Sequence, residues 1–290
     1  MCYYRCVSCG LIQLEADVGE AFVRDVYDDK YFCDGGAGYA DYSEESELLR
    51  EHGRRYAHAA SRFTNPGRVL DIGGAAGFIA QGFRDVGWAP TIRDPNQRMI
   101  SIATSLGMEA STGTLETLAV REPFDLVVMI QVIAHLYELN KALDITAKVT
   151  APGGYLLVET WNAASLTARV LRKQWHEFSP PSVRRIFTPT SLDRALGRHG
   201  FSRVASGRPQ KWISGSHAKS LLLHKASLDN PVMRIASAVA RCLPDRLRIP
   251  YPAEDLFWAL YKSHAVAPFD AARASAAAGA HRDVGRGLNS

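Results

Sequence analysis

Apolar runs and one-sided apolar stripes alternate through the middle of the chain. Residues 69–72 and Phe124–Ile130 carry apolar side chains at nearly every position, which predicts strands buried on both faces. Residues 138–149 carry apolar side chains on one side only, which predicts a helix lying against a core. Strands that alternate with helices in this way are typical of a parallel sheet wrapped by helices.

Turn signals and these two periodicities divide the chain into predicted elements. Asn65-Pro66-Gly67 ends a helical, aromatic-rich region and opens the core. Apolar stripes after Asn230 and Pro252 predict two C-terminal helices. In the core we expect helices at about 77–86, 96–106, 138–149 and 188–200, and strands at 69–72, 91–93, 109–111, 124–130, 155–160, 201–206 and 220–224, the last two as an antiparallel edge pair.

The predicted organisation is one core domain with extensions at both ends. A chain of 290 residues, 47% of them hydrophobic, can bury one large core. The expected parts are a remnant zinc-knuckle-like segment at 1–15, a helical cap at 16–64, the core at 65–228 with a substrate insertion at about 161–187, C-terminal helices at 229–268 and a disordered tail at 269–290.

Asp71 stands at the end of the first core strand, before the small-residue loop Gly73-Gly74-Ala75-Ala76-Gly77. Such a loop lets a ligand approach the backbone, and the helix that follows offers N–H groups. A carboxylate here attracts an ammonium and repels a pyrophosphate, and the loop lacks the Gly-x-Gly-x-x-Gly spacing. Asp94 lies twenty residues beyond Gly74, where a carboxylate can accept both hydroxyls of a ribose. Without a ligand, these features would be a plain strand–turn–helix and a helix start.

Charge and composition say little about whether the protein binds nucleic acid, but they bear on whether it enters a membrane. The net charge of +4 with 22% charged residues neither requires nor excludes nucleic acid. The sequence contains no apolar run of membrane-spanning length and no signal-peptide core near its first residues. We therefore expect a cytoplasmic protein with no membrane partner.

Cysteines cluster at the start of the chain. Cys6-Val7-Ser8-Cys9-Gly10 is half of a zinc site, because two thiolates at this spacing can meet one metal. Cys2, and Cys33 or a histidine, could complete it, but no second pair at a supporting spacing is present. Five cysteines, an odd number, argue against a disulfide framework. We expect a remnant knuckle and no bound metal.

Several motifs together resemble one known family, the class I S-adenosylmethionine (SAM)-dependent methyltransferases. The similarity is to a bacterial branch related to the ubiquinone-biosynthesis O-methyltransferases and to small-molecule methyltransferases of natural-product pathways. It covers about residues 4–262 and is carried by Tyr4-Arg5-Cys6-x-x-Cys9-Gly10-Leu11, Tyr31-Phe32, Gly38-Tyr39-x-Asp41-Tyr42, Val69-Leu70-Asp71-Ile72-Gly73, Gly113-Thr114-Leu115-Glu116, Phe124-Asp125, Pro152-Gly153-Gly154, Glu159-Thr160-Trp161-Asn162, residues 175–181 and Phe187-Thr188-Pro189.

The resemblance implies a fold and a cofactor. The expected fold is a Rossmann-like, doubly wound α/β fold, with a mostly parallel seven-stranded sheet, an antiparallel edge strand, and helical N- and C-terminal additions. The expected cofactor is SAM, with S-adenosylhomocysteine (SAH) as product. Two positions depart from the family pattern: Ala75 replaces a usual glycine in the loop, and Ala134 replaces the acid of a usual Glu-His pair.

The resemblance and the topology together assign residues to a site. The turn at residues 113–116 is expected to border the adenine, and the loop after residue 160 to grip the substrate. Cofactor-binding residues are expected to be Tyr39, Asp71, Gly73, Gly74, Ala75, Gly77, Phe78, Asp94, Pro95, Gly113, Thr114, Leu115, Gln131 and Val132. Substrate-binding residues are expected to be Tyr42, Trp161, Trp175, Glu177 and Arg184, in a pocket walled by Tyr39, Trp161 and residues 175–181.

The expected reaction is in-line attack of a small-molecule hydroxyl oxygen on the SAM methyl group. His135 is the first choice for a general base and His176 the second, since a neutral imidazole can accept a proton near pH 7; either could instead be structural. The alternatives are a nitrogen, carbon or RNA-base acceptor, and a SAM-binding protein that transfers no methyl. We expect no nucleic-acid partner, and a monomer or homodimer.

Overall fold

The computed structural model describes residues 2–15, 26, 45–119, 122–175, 177–215, 219, 244, 247–251 and 253–264. Its main sheet consists of the strands β3 (Arg68–Ile72), β4 (Ala89–Asp94), β5 (Glu109–Thr112), β6 (Phe124–Ile130), β7 (Thr150–Trp161), β9 (Phe201–Gly207) and β12 (Leu256–Ser263). These seven strands lie in the order β5-β4-β3-β6-β7-β12-β9. The expected Rossmann-like α/β fold is confirmed.

Parallel pairing runs from β5 to β7, and β12 is antiparallel to both of its neighbours. The antiparallel strand thus lies one position in from the edge, and β9 is the edge strand. Alternate side chains of β6 pack on opposite faces: Val127 and Met129 belong to one hydrophobic core, and Leu126 and Val128 to the other. All four are fully buried, as a central parallel strand requires.

Helices cover both faces close to the predicted positions. They are α1 (Ser46–Ala60), α2 (Phe78–Asp85), α3 (Gln97–Ser105), α4 (Leu139–Val149), α5 (Leu166–Leu171) and α6 (Pro189–Gly197). α1 crosses α2 at two glycines. A Cβ on Gly53 would lie 2.1 Å from the carbonyl oxygen of Ile79, and one on Gly82 would lie 2.2 Å from that of Arg50. The backbones of α1 and α2 therefore pack directly against each other at these glycines.

The predicted helix after Pro252 is wrong, because residues 256–263 form β12. The strand is buried on both sides between β7 and β9, so its apolar residues form an almost continuous run. Periodicity cannot distinguish such a run from a buried helix. The core therefore extends beyond its expected end at residue 228. The helix predicted after Asn230 and the strand predicted at 220–224 lie outside the described residues.

Among the described residues, two small sheets accompany the main one. β1 (Cys2–Arg5) and β2 (Ile12–Glu15) form a hairpin, and β2 also pairs with β8 (Arg185–Ile186). The other small sheet pairs β10 (Lys211–Ser214) with β11 (Arg248–Tyr251). The first sheet binds the start of the chain to the last residues of the predicted substrate insertion.

The hairpin turn holds the Cys-x-x-Cys pair. Hydrogen bonds from the Cys9 backbone and side chain lower the pKa of the Cys6 thiol. Within the described ranges, no group of three or more histidine, cysteine or acidic side chains is arranged to hold a metal ion. In the same part of the chain, no helix has the length and hydrophobicity needed to cross a bilayer.

Candidate functional site

The loop between β3 and α2 brings backbone into the crevice at the carboxyl edge of the sheet. Gly73 and Gly77 adopt positive φ angles of 68° and 79°, which glycine takes without strain. Ala75, at a usual glycine of the family pattern, also has a positive φ, 46°. Its N–H donates to Asp94 Oδ2 at 2.9 Å, so the loop keeps a left-handed residue here despite the added methyl group.

Asp71 lies beneath this loop and is only 3% exposed. Its Oδ2 atom has no hydrogen-bond partner among the described residues. A Cβ on Gly74 would stand 2.7 Å from that oxygen, so the missing side chain at Gly74 leaves the carboxylate room beside the loop. Burial, reinforced by the charge of Asp94, raises the pKa of the Asp71 carboxyl to about 7. A cationic ligand group would remove this electrostatic penalty.

Asp94 ends the neighbouring strand, and the structure brings it together with Asp71. Its Oδ1 accepts from the Asn96 N–H at 2.8 Å, and its Oδ2 accepts from Ala75. Burial raises the Asp94 pKa to about 6, although these two hydrogen bonds oppose the shift. A carboxylate has about four lone-pair sites, so two bonds leave acceptor capacity for hydroxyl groups.

The predicted adenine turn follows β5. The Gly113 N–H donates to the Asp94 carbonyl at 2.9 Å, which fixes the turn beside the acid. Thr114 and Leu115 are buried, and Leu115 packs into the main core. On the other side of the loop, Phe78 packs into a small core with Ala75, Ala76 and Met99, and Pro95 lies between Asp94 and Asn96. The structure thus gathers these residues at one edge, and their contacts with a cofactor stay a prediction.

Gln131 and Val132 leave β6 at the same edge. Gln131 has a φ of 59°, its N–H donates to the Glu159 carbonyl, and its side-chain amide donates to Glu159 Oε1 at 2.9 Å. Val132 sits against the glycine loop, because a Cβ on Gly73 would lie 2.5 Å from Val132 Cγ2. The Gln131 side chain is therefore bonded inward to β7.

His135 lies in the turn beyond β6, packed edge-on against Trp161 with ring centroids 5.8 Å apart. Its Nδ1 is 2.9 Å from the Ser182 carbonyl oxygen, which can only accept, so Nδ1 carries a proton. Burial lowers the His135 pKa and favours the neutral ring, whose lone pair then lies on Nε2. The candidate base His135 and the predicted substrate-binding residue Trp161 are therefore in contact.

The other predicted substrate residues are more deeply packed. Trp175 is 1% exposed, and its indole N–H donates to Asp255 Oδ2 at 3.0 Å, which gives it a packing role in this structure. Glu177 and Arg184 are also buried, and the Arg184 N–H donates to the Ala134 carbonyl. Burial and the charge of Arg184 lower the pKa of Arg185 to about 10. Tyr39, Tyr42 and His176 lie outside the described residues.

The sequence analysis missed a buried polar cluster around one acid, Glu159, near the end of β7. Glu159 is fully buried and accepts from the Tyr56 hydroxyl and from Gln131; its Oε2 lies 2.8 Å from His52 Nε2. Burial, reinforced by the charge of Glu159, raises the Tyr56 pKa well above its usual value. The available signal was a glutamate inside the apolar run at 155–160, but nothing local points to partners on α1.

Comparison with known proteins supports the same assignment of fold. The profile of a family described as "Methyltransferase domain" matches residues 44–206, more than half of the chain. A ubiquinone biosynthesis O-methyltransferase from Nitrobacter winogradskyi is 28% identical over 150 residues, which cover 46% of this chain and 56% of that protein. The chain thus spans little more than half the length of this relative.

Two solved structures share the fold at low sequence identity. Magnesium protoporphyrin IX methyltransferase from Synechocystis, with bound SAH, has a TM-score of 0.55 and 15% identity, covering 84% of this chain and 99% of that one. A Burkholderia thailandensis 1,6-didemethyltoxoflavin N1-methyltransferase, with bound 1,6-didemethyltoxoflavin and SAH, has a TM-score of 0.54 and 14% identity, covering 90% of this chain and 98% of that one.

Proposed function

Because this chain belongs to the methyltransferase-domain family, we propose that it transfers the methyl group of SAM to a hydroxyl oxygen of a small molecule. Two observations from relatives support this reading. The Nitrobacter protein is named an O-methyltransferase, and both solved structures contain SAH, the product of methyl transfer. The choice of a hydroxyl acceptor is a separate proposal, because the Nitrobacter protein is 28% identical over only 46% of this chain.

The observation that carries the proposal is the unpartnered Oδ2 atom of buried Asp71. SAM has an ammonium on its amino-acid part, which would pair with this oxygen, and ribose hydroxyls, which would bind Asp94. The glycine loop lies between these two acids, because Gly74 stands against Asp71 Oδ2 and the Ala75 N–H donates to Asp94 Oδ2. When bound, SAM supplies a sulfonium that makes its methyl group electrophilic. The residues present therefore fit the cofactor.

The chain's own residues must align the acceptor and take up its proton. A hydroxyl needs a base as its oxygen attacks, and such proton transfer contributes typically 10²–10⁴-fold to the rate. His135 fits this role in tautomer and charge, because its Nδ1–H is held by Ser182 and burial keeps the ring neutral. Trp161 packs against that ring and would help to exclude water from it.

Turnover of defined acceptors tests the proposal. The full chain would be incubated with SAM and, separately, with phenols, alcohols, amines and a total RNA preparation, and SAH would be measured by mass spectrometry. We expect SAH to form with hydroxyl compounds, together with a methyl ether product. SAH formation with amines or RNA alone would transfer the proposal to those acceptors. No SAH with any acceptor, despite measured SAM binding, would favour a binding protein without methyl transfer.

We further propose that the acceptor belongs to a biosynthetic pathway of natural-product type, and that the enzyme acts in the cytoplasm as a monomer or homodimer. The bacterial relative in ubiquinone biosynthesis supports a biosynthetic setting. Light scattering of the purified chain would decide between one copy and two, and fractionation of the producing cell would test the compartment.

A further inference from the structure

His52 is the one histidine outside the predicted site that is bonded to a buried acid in the described part of the chain. It is 7% exposed, and its Nε2 lies 2.8 Å from Oε2 of the fully buried Glu159. Its other ring nitrogen, Nδ1, is buried and has no hydrogen-bond partner among residues 45–119 or the other described ranges. A buried acceptor without a partner destabilises the folded chain, so it marks a position where a donor is expected.

The partners of Glu159 fix the tautomer of this imidazole. The Tyr56 hydroxyl and the Gln131 amide both donate to the Glu159 carboxylate, which leaves it acting as an acceptor toward His52 as well. Nε2 therefore carries the proton, and Nδ1 carries the lone pair. A carboxylate that holds one imidazole N–H orients the ring and stabilises the positive charge that forms when the other nitrogen is protonated.

Contacts place this imidazole next to the cofactor crevice. Glu159 is paired with Ile130 at the end of β6, and Gln131 follows directly. Val132, the next residue, lies against the glycine loop at Gly73. The crossing of α1 over α2 fixes the helix that carries His52. The His52–Glu159 pair therefore lies at the carboxyl edge of β6 and β7, where ligands of open α/β sheets bind.

We propose that His52 Nδ1 accepts the hydroxyl proton of the methyl acceptor, with Glu159 as its positioning residue; this rests on the proposed O-methyl transfer. The acceptor oxygen uses its electron pair to form the new O–CH₃ bond, and its proton passes to Nδ1. The C–S bond breaks in the same step, and its electron pair stays on sulfur as the neutral thioether of SAH. The proton later leaves His52 for water.

His135 is the competing base, and the two histidines differ in what orients them. Nδ1 of His135 donates to a neutral backbone carbonyl, whereas Nε2 of His52 donates to a carboxylate. The carboxylate stabilises an imidazolium more strongly, because a hydrogen bond between charged groups is about twice as strong as a neutral one. The two candidate bases therefore differ in the charge of the group that orients the ring, and the variants below separate their roles.

The kinetic test replaces each histidine by glutamine. In His52→Gln the amide can still donate to Glu159, but it cannot take up a proton. We expect kcat to fall about 10²–10⁴-fold, with the Kd for SAH within about threefold of wild type. Glu159→Gln is expected to lower kcat about 10–100-fold with a smaller change in acceptor KM, as a positioning role requires. His58→Gln, at an exposed position on the same helix, should leave kcat unchanged.

His135→Gln is the deciding comparison, and it should cost less than about tenfold in kcat if His52 is the base. A large loss in His135→Gln with little loss in His52→Gln would overturn the inference. The inference would also be overturned if His52→Gln and His135→Gln weakened SAH binding equally in the absence of acceptor. That result would indicate that both histidines have a structural role.

A second measurement on the wild-type chain requires neither turnover nor a variant that folds. Nitrogen-15 NMR of labelled histidine should show His52 protonated at Nε2. Addition of phenol should shift the Nδ1 resonance, whereas anisole, which lacks the donor, should not. Protonation at Nδ1 instead, or equal shifts from both probes, would overturn the inference. If no acceptor is methylated, the proposed function fails, yet this result still decides whether His52 receives a hydroxyl group.

Discussion

The sheet carries buried acids at two places along its carboxyl edge, and the two acids differ in their hydrogen-bond partners. At β3, Asp71 keeps an oxygen with no partner among the described residues, and burial raises its pKa to about 7. At β7, Glu159 is surrounded by donors from α1 and from the end of β6. Asp71 can therefore pair with a positively charged group of a ligand, whereas Glu159 orients side chains of the protein itself.

The energetic consequence follows from what each acid contributes before any ligand binds. An unpaired buried carboxylate destabilises the folded chain, and binding of a cation relieves that cost. A fully bonded carboxylate stabilises its neighbours, and its removal leaves them unsatisfied. Variants at the two acids, measured separately for stability and for ligand affinity, therefore test whether the acids differ in this way.

The largest effect is expected for stability at β7. Glu159→Ala should lower the free energy of unfolding by about 3–5 kcal/mol, because the donors of His52, Tyr56 and Gln131 stay buried without their acceptor. Asp71→Ala should change it by no more than about 1 kcal/mol, because the lost packing is offset by the removal of an unpaired buried charge. Urea denaturation without cofactor at pH 8 measures both. Similar losses in the two variants would show that the acids are equivalent.

The next effect concerns ligand affinity at β3. Asp71→Asn should weaken SAH binding about 10–100-fold, since a hydrogen bond to a charged group contributes roughly 1.5–3 kcal/mol. Isothermal titration calorimetry measures this change. Asp125→Asn is the matched control, because Asp125 accepts the Arg68 N–H at the amino end of the sheet. Unchanged affinity in Asp71→Asn would refute the ammonium assignment.

The pH dependence of binding should follow from the same acid. With its pKa raised to about 7, Asp71 is increasingly protonated below pH 7 and then offers no charge to an ammonium. SAH affinity should therefore fall below pH 7, by at most about tenfold per pH unit, and level off above it. The folding stability of the cofactor-free chain depends on pH in the opposite direction to SAH affinity. The folded state binds this proton more tightly than the unfolded state, so Asp71 makes unfolding harder as pH falls from 7 toward 4. Calorimetry should show a binding slope between pH 6 and 7 in the wild type and lose that part in Asp71→Asn, whereas the slope that begins near pH 6, where Asp94 titrates, should remain.

The smallest effect is expected in the loop above Asp71. Ala75→Gly should stabilise the chain or leave it unchanged, within about 1 kcal/mol, because glycine accepts the positive φ without a Cβ penalty but gains entropy when unfolded. The N–H bond to Asp94 is retained, so SAH affinity should stay within about threefold. Thermal unfolding and calorimetry check the two parts. A large loss of affinity would mean that the alanine methyl itself contacts the ligand.

The half of the site around Asp71 could be predicted because its determinants are local. A buried strand, a small-residue loop and a helix are adjacent in sequence, and the spacing to Asp94 follows from the length of one βαβ unit. The cluster at Glu159 could not be predicted. His52 lies 107 positions away from Glu159, on a helix whose position against α2 depends on two glycine contacts. Only the tertiary fold therefore brings the pair together.

The C-terminal strand shows the other limit of sequence patterns. Leu256–Ser263 is an apolar run after a proline, and both a helix and a doubly buried strand give that pattern. Its place between β7 and β9 supplies the deciding constraint, and that constraint is non-local. Core helices and parallel strands, by contrast, were predictable because each carries its own period and its own turn residues.

The position of that strand also affects how the protein is made. β9 pairs in the main sheet only with β12, and β12 separates it from β7. While the ribosome is still translating residues before 256, β7 and β9 both carry open edges to which other nascent chains could add. Completion of the sheet therefore waits for nearly the last segment of the described chain, and a transcript cut short before it should yield aggregates rather than a smaller working enzyme.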